Sequence, residues 1–550
     1  MEIPFSTLSG IALQQGLQCL CPTGVNLPGL SERDTAVLDR IREGRDATPA
    51  QSALAVSSLI RCLQGHGFVA GPALENVPGV RLFQDPLIPL DRLAFPAFGG
   101  LELTTAAGPI RFGGNMWSNK DIILAKSAGR PTPRYHVLDG ASPHVGLMGA
   151  EFVRNNFFVT GQVPTFVVES ETQARILDEF LRQTYESTEP EAVGAFPSPR
   201  HDTLHKIVWF DEGGAAALEE GTLLTRLRPN VYRLSEGGKE IGVLNLESFA
   251  RAEARSPIRA QAGGKKAERV RRAAVEEKRS GVWPIGTANG FATREETSGF
   301  MIWNRGRFVL VDPPSSTPAY LEAHRIPLDR LDGIVISHGH TDHCTDAVPR
   351  ILEKRPKTRI YTSRRIFDDL ARQLDLSLGK AASRLDFNYR RFTEVRPRTN
   401  LRINGMTFRF HETLHSLPAL GFEIWNKKDL VLHFSGDTFA DPAIFEQFLP
   451  TKKNYMTRER AFEVLRHYFL IPQRASQKVP PVFLIEAGVP PLHTAPDLTR
   501  AFLEFLQKHL GVDTSRVLAY HISDEKARAA RLRKWPAGHE GWIDLSPYYE

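Results

Sequence analysis

The sequence predicts a multidomain protein of α/β class with layered (α+β) architecture, and three observations carry that expectation. Short β-like runs alternate with helix-like runs over most of the length. The most apolar of these strands lead directly into loops rich in histidine and aspartate. Finally, 550 residues, 41% of them hydrophobic and 24% charged, suffice for more than one core and give disorder no compositional basis.

Taken in order, residues 1–75 read as helical. "LSERDTAVLDRIREG" and "TPAQSALAVSSLIRCLQGHGFV" space their apolar residues three and four apart behind Ser or Thr caps, the pattern of a small, winged-helix-like module. The stretch from Ala53 to Leu63 is mostly apolar with one arginine, which favours packing or partner docking over DNA contact. Residues 76–250 alternate "GPIRFGGNMW", "DIILAK", "RYHVLDG" and "TFVVES" with "TQARILDEFLRQTYES", an α/β domain. Residues 251–281, rich in Ala, Arg, Lys and Glu, form a charged linker or solvated helix, with a phosphate-contacting arm as the sharper alternative. Residues 282–550 carry the dense signals. "GFMIWNRGRFVLVDPPSS" reads as a hairpin turning at Arg305-Gly306, and "LDGIVISHGHTDH" as a buried strand opening into a histidine loop.

Lys plus Arg number 69 against 63 acidic residues, a formal charge of +6 that permits an anionic substrate without requiring one. Cys19, Cys21, Cys62 and Cys344 have neither zinc-ribbon spacing nor the density of a disulfide framework, so reduced thiols are expected. The start lacks the basic segment of a signal peptide, and no run approaches about 18 apolar residues. The expectation is a cytoplasmic protein with no membrane association.

"VISHGHTDHC", Val335 to Cys344, crowds His338, His340, Asp342 and His343 together. Two histidines one residue apart at a strand end can aim both imidazoles at one cation, and Asp342 with His343 can serve a second beside it. Further donors follow strand-like runs: His415 after "MTFRFHETL", Asp437 in "DLVLHFSGDT" and His521 in "RVLAYHIS". Each taken singly is a weak signal, since a lone histidine at a strand end is more often structural; the repeated strand-then-ligand arrangement makes a constellation. Cys344 reads as a small packed side chain.

From Val282 to Ser523 the chain resembles the metallo-β-lactamase superfamily: "SHGHTDH", "HSLPALGFEIW", "FSGDT" and "AYHIS" match its motifs in order, and "PIGTANGFATREETSGFMI" resembles its first strand and glycine turn. The resemblance implies a four-layer αββα hydrolase. It implies one metal on His338, His340, His415 and Asp437 and another on Asp342, His343, Asp437 and His521. Two divalent ions are expected, zinc first because imidazole suits it, with manganese or iron as alternatives. Within the superfamily the chain looks most like the tRNase Z branch of phosphodiesterases, where a histidine after a Glu-Ala strand end is implicated in protonating the leaving oxygen. "VFLIEAGVPPLHTAPDLTRAF" supplies Glu486 and His493 in that order, with His-Thr-Ala where the branch usually shows His-Ser-Thr. The other reading of His493 is a loop residue before a helix.

The implied activity is hydrolysis of a phosphodiester in RNA or a nucleotide by a metal-bridging hydroxide. Asp342 would hold the proton of that hydroxide, and His493, oriented by Glu486, would act as general acid. An ester, lactone or thioester hydrolase is the alternative, as is a hydrolase-fold subunit of a larger modification or defence complex. A protein partner through the amino-terminal half and a homo-oligomer are left open.

The insertion at 439–480 holds Lys452, Lys453, Arg458, Arg460, Arg466, Arg474 and Lys478 among Tyr455, Phe462, Tyr468 and Phe469. It reads either as a lid over an anionic substrate or as an amphipathic helix with its aromatics packed and its charges in water. The middle region also echoes the histidine-loop region. "YHVLDGASPHVGLMGAEFVRNN" runs like "GIVISHGHTDHCTDAVPRILEK", setting Asp139, Ala141, Pro143 and His144 opposite His338, His340, Asp342 and His343. Either residues 76–250 are a degenerate second copy of the fold, as long tRNase Z forms carry, or an unrelated α/β domain.

Overall fold

A computed structural model of the chain describes residues 32–42, 88, 92–94, 101–112, 118–138, 143–185, 201–245, 265–293, 295–344, 347–378, 391–441, 458–488 and 493–549. The expected helix at 48–69 lies outside these residues, as do the beginning of the charged segment and positions 442–457 of the insertion. Helix α1 (Glu32–Arg42) is the first of the two expected amino-terminal helices. The chain divides into two compact units, residues 1–179 with 202–257 and residues 180–201 with 258–550.

In the first unit β1 (Leu93–Ala94), β2 (Leu101–Thr105) and β3 (Gly108–Phe112) pair antiparallel; β4 (Tyr135–Leu138), β5 (Thr165–Val168) and β6 (Lys206–Trp209) then add in parallel. Helices α2 (Ser118–Ser127), α3 (Pro143–Asn155), the short α4 (Phe157–Thr160) and α5 (Glu171–Gln183) lie in the connections between the parallel strands. Strands β4 and β5 are buried along their whole length, as central parallel strands covered on both faces must be. An antiparallel meander follows, β7 (Ala215–Ala217), β8 (Thr222–Arg228), β9 (Val231–Glu236) and β10 (Lys239–Asn245). Leu103, Ile110, Phe112 and Val137 of the first sheet share a core with Leu224, Tyr232 and Leu234 of the second. Beside it a charged group is buried: Arg111, 1% exposed, reaches Asp121 at 2.7 Å and Glu102 at 3.0 Å.

The second unit begins with α6 (Lys265–Arg271), which buries Ala267 and Val270. Strands β11 (Gly281–Gly286), β12 (Gly299–Asn304) and β13 (Arg307–Val311) pair antiparallel, and β14 (Leu331–Val335), β15 (Arg359–Thr362) and β16 (Phe392–Glu394) continue in parallel. The β12–β13 turn is Arg305-Gly306, with φ of 52° and 77°, the two left-handed positions of a two-residue hairpin. Helices α7 (Thr317–Ala323), α8 (Ala347–Lys354) and α9 (Arg364–Leu378) lie between the parallel strands. The second sheet is a meander, β17 (Asn400–Ile403), β18 (Met406–Thr413), β19 (Ala419–Asn426) and β20 (Asp429–Phe434), extended in parallel by β21 (Val482–Glu486) and β22 (Val517–Tyr520). Helices α10 (Arg458–Val464) and α11 (Arg466–Arg474) precede β21, and α12 (Pro496–Leu510) precedes β22. Helix α13 (Asp524–Ala529) follows, and β23 (Ile543–Asp544) closes on β11.

The two sheets pack face to face. Phe300 of β12 lies 5.1 Å from Phe434 and 5.4 Å from Trp535 between ring centroids. A phenylalanine so buried contributes about 1.5–3 kcal/mol. Outside the second sheet, Trp425, Phe483 and Ile485 pack on Leu470 and Ile471 of α11 and Leu506 of α12. On the first sheet, Phe367 of α9 packs on Phe392 of β16, and Trp283 of β11 donates to the Tyr320 hydroxyl of α7 at 2.8 Å. The result is four layers, αββα.

The described part of the insertion departs from the second of its two readings at its arginines and at two of its phenylalanines, while Tyr468 packs on Phe502 at 4.2 Å as that reading expects. Arg460 pairs with Glu412 and donates to the Thr413 carbonyl at 2.8 Å, Arg466 pairs with Glu423, and Arg474 lies over the Trp425 ring at 5.2 Å. Phe462 and Phe469 are 59% and 41% exposed, against each other at 5.3 Å. The physical reason lies in the sheet, where β18 and β19 offer two carboxylates and an indole face that suit guanidinium groups.

Candidate metal centre

Strands β18, β20, β21 and β22 all point one way, because a meander returns every second strand and the last three are parallel. Their carboxyl ends therefore share one edge of the sheet. His415 and Asp437 follow β18 and β20 by two and three residues, Glu486 ends β21, and His521 immediately follows β22. Strand β14 of the other sheet delivers the histidine loop, and Leu420 of β19 donates its N–H to the Ser337 carbonyl at 2.9 Å, joining that loop to the second sheet.

Left-handed backbone recurs here. Gly436 has φ of +66°, and a Cβ there would lie 2.3 Å from the Leu420 carbonyl oxygen, so the turn that presents Asp437 admits only glycine. His521 has φ of 59°, a cost that recurs where a side chain must be aimed.

The structure brings all seven candidate ligands together. Nδ1 of His340 is 3.1 Å from Nε2 of His338 and 3.1 Å from Nε2 of His415. Oδ2 of Asp437 is 3.4 Å from Nε2 of His343, 3.4 Å from Nε2 of His521 and 3.8 Å from Nε2 of His338. Oδ1 of Asp342 is 3.6 Å from Nε2 of His343. The Cys344 thiol is buried and points at the carbonyls of His338 and His340, a packed side chain as expected.

Glu486 and His493 complete the group. Nδ1 of His493 is 3.0 Å from Glu486 and its ring stacks on His521 at 4.8 Å. Thr494, of the divergent His-Thr-Ala, donates its N–H to Glu486 at 3.1 Å and its hydroxyl to the Thr438 carbonyl at 2.9 Å, pinning this loop to that of Asp437. His340 and His493 are the partly exposed members of the group, so the centre opens beside them.

Sequence reasoning missed Asp312. It lies one residue past β13, accepts the Ser337 N–H at 2.7 Å, and sets its other oxygen 3.5 Å from Nδ1 of His343. Its only signal was a carboxylate ending the apolar run "RFVLVD".

Burial governs the electrostatics. It lowers His338, His340 and His521 well below the ordinary imidazole value, leaving them neutral with lone pairs free to bind. Burial also opposes charge on Asp437, yet His521 and His343 beside it hold its carboxyl well below the usual range. Burial pushes Glu486 up to about 7, and its carboxylate in turn outweighs burial at His493 and raises that imidazole, so the pair keeps a proton near neutrality.

Asp437 tests whether a cation suits this group. Its side chain is 1% exposed and neither carboxylate oxygen has a hydrogen-bond partner, a cost of about 1–3 kcal/mol or more that a cation would remove. Two triads, His338 with His340 and His415, and Asp342 with His343 and His521, each bring their donor atoms within 4.8 Å of one another. Imidazole and carboxylate in these proportions fit zinc.

Two sheets face to face between helical layers, with this loop at their shared edge, define the metallo-β-lactamase fold, and the carboxyl-terminal unit carries it. Residues 281–467 match the family described as anti-Pycsar protein Apyc1. The chain is 29% identical over 269 residues to cGMP-dependent 3',5'-cGMP phosphodiesterase A of Dictyostelium discoideum, covering 48% of this chain and 28% of that protein. It is 30% identical over 218 residues to cAMP/cGMP-dependent 3',5'-cAMP/cGMP phosphodiesterase B of the same organism, covering 39% and 18%. The match thus spans less than a third of either relative. Probable metallo-hydrolase YhfI of Bacillus subtilis is 24% identical over 174 residues, covering 31% and 67%. Its crystal structure aligns at a TM-score of 0.31 with 17% identity, over 46% of this chain and 91% of that one. Among the described residues no helix is long and apolar enough to cross a membrane.

Proposed function

We propose that the chain is a metal-dependent phosphodiesterase that hydrolyses a 3',5'-cyclic nucleotide on two zinc ions. His338, His340, His415 and Asp437 would hold one, and Asp342, His343, Asp437 and His521 the other. The observation that carries this reading is the Asp437 carboxylate, buried without a hydrogen-bond partner and ringed by three imidazoles from two separate loops. The substrate class rests on the names of the two Dictyostelium relatives.

Bound at these residues, two divalent cations would supply Lewis acidity, easing loss of a proton from water at neutral pH and offsetting charge on the phosphoryl oxygens. The chain's own residues do the rest. Asp342, at Nε2 of His343, accepts the proton of the attacking water. Glu486 holds Nδ1 of His493, so Nε2 is the nitrogen that donates a proton to the departing ribose oxygen. Asp312 fixes His343 and the Ser337 backbone from behind.

The test is zinc content by mass spectrometry together with hydrolysis of cyclic GMP, cyclic AMP, a tRNA precursor and a lactone. About two zinc ions and turnover of a cyclic nucleotide are expected. A zinc-loaded protein that cleaves the lactone and no phosphodiester overturns the assignment.

We further infer that the first unit is a copy of the same fold without the centre. Strands β2 to β6 repeat β12 to β16 in order and direction, and β7 to β10 repeat the β17 to β20 meander. Among the described residues, the first unit has no counterpart of β21 and β22, the strands that bring Glu486 and His521. The echoing loop, residues 139–142, lies outside the described residues.

A further inference from the structure

A second cluster of metal-ligand side chains lies in the same sheet, on residues within β18, β19 and β20 and not in the loops that follow them. Register explains it. His433 of β20 is directly opposite Glu423 of β19, and His411 of β18 is opposite Gly421, two residues from Glu423. Residues two apart on a strand share a face, so the three side chains converge although their sequence separation gives no hint of it. Their ligand atoms lie within 4.8 Å of one another, and each residue is 4% exposed or less. A Cβ on Gly421 would sit 2.4 Å from Nε2 of His411, so the imidazole occupies space that only glycine leaves.

The hydrogen bonding is incomplete in a specific way. His411 bonds the Ser435 carbonyl through one ring nitrogen, and its Nδ1 has no partner. A ring N–H given to a backbone carbonyl while the other nitrogen stays open is the arrangement of a metal-binding histidine. Neither nitrogen of His433 has a hydrogen-bond partner, and the approach of its Nδ1 to Glu423, 3.9 Å, exceeds hydrogen-bond reach. The two rings lie parallel, 5.2 Å apart and 7° from coplanar. Three unpaired ring nitrogens in a dry interior cost about 1–3 kcal/mol each. Burial, with Arg466 nearby, lowers His411 to about 3, so its lone pair is available at any physiological pH.

We propose that His411, Glu423 and His433 form a separate structural site for a divalent metal of the zinc class, bound by two imidazole nitrogens and a carboxylate oxygen. Arg466 is the competitor. It approaches with its side chain 30% exposed and holds the same carboxylate, which also accepts the Trp425 N–H at 2.8 Å. A carboxylate has about four lone-pair positions, so these partners leave room for a cation, but guanidinium and metal repel each other across it. The cation would tie β18, β19 and β20 together beneath α11.

This inference does not rest on the reading of the first centre, and one experiment separates them. Wild type, a His338→Ala/Asp437→Ala double variant and each of these carrying His433→Phe are stripped with chelator, reloaded with zinc alone and assayed for bound zinc and Tm. The double variant should keep about one zinc per chain and gain Tm on loading; adding His433→Phe should remove both. Glu423→Gln, which keeps the volume and the Trp425 hydrogen bond, should weaken zinc binding at least tenfold and guards against misfolding of the phenylalanine variant. Arg466→Gln should tighten it several-fold. If the first centre were misassigned, wild type would hold a single zinc that His433→Phe removes. A double variant that binds no zinc, or binds it equally well with phenylalanine at 433, overturns the proposal.

Discussion

The two units share a strand plan and differ in what their buried polar residues do. In the first, Arg111 is closed internally by Asp121 and Glu102 at 2.7 and 3.0 Å, and His136 contacts the Pro133 carbonyl at 3.2 Å. In the second, buried histidines and Asp437 face one another with their polar atoms open. A layered sheet evidently accepts either solution: polar groups that satisfy each other, which only hold the fold, or polar groups left for a ligand to satisfy, which carry chemistry at some cost in stability.

Substitutions can break or sharpen that contrast. Asp437→Ala should empty the centre and cut hydrolysis by roughly 1000-fold or more, several kcal/mol of transition-state stabilisation. Asp139→Ala, in the echoing loop, should change neither zinc content nor rate; loss of activity there would end the contrast. Next, His493→Ala should cost about 100- to 10,000-fold on a cyclic nucleotide, whose leaving alkoxide needs a proton, and far less on bis(p-nitrophenyl) phosphate, whose leaving group does not. Equal losses on both would deny it the role of acid.

In the first unit, Arg111→Ala should lower stability by about 3–5 kcal/mol in denaturant unfolding, because the buried Asp121 and the half-buried Glu102 lose this partner. Asp312→Ala should weaken zinc binding by about 10- to 100-fold, measured by chelator competition. The smallest effect concerns acid. Burial holds His136 near 3 in the fold against 6.5 when unfolded, so its neutral form contributes stability above pH 6.5 that is lost as pH falls toward 3. At pH 5 the loss is about 2 kcal/mol, and His136→Phe should flatten that part of the pH–stability curve.

The ligand loops were legible because each is local, a strand followed within three residues by a donor, and the His-X-His-X-Asp-His run needs no tertiary knowledge. Asp312 was not, since an aspartate after an apolar strand looks the same whether it starts a turn or supports a histidine. The placement of the α10 and α11 arginines escaped as well, because it is set by Glu412, Glu423 and Trp425 on strands distant in sequence. His411, Glu423 and His433 belong to the same class, since only the register of three strands makes them neighbours. The proposed repeat showed in the sequence as an echo of two strings, and the shared strand order extends that proposal to β2–β10.

One consequence concerns biosynthesis. The donors run from His338 to His521, and β22, which delivers the last, is the end strand of a sheet begun at β17. Such long-range pairing forms late. During translation the histidine loop leaves the ribosome well ahead of the residues that enclose it, so the cluster of donors is complete only once β22 has been made, and a product truncated before residue 517 would display the loop without the rest of the cluster.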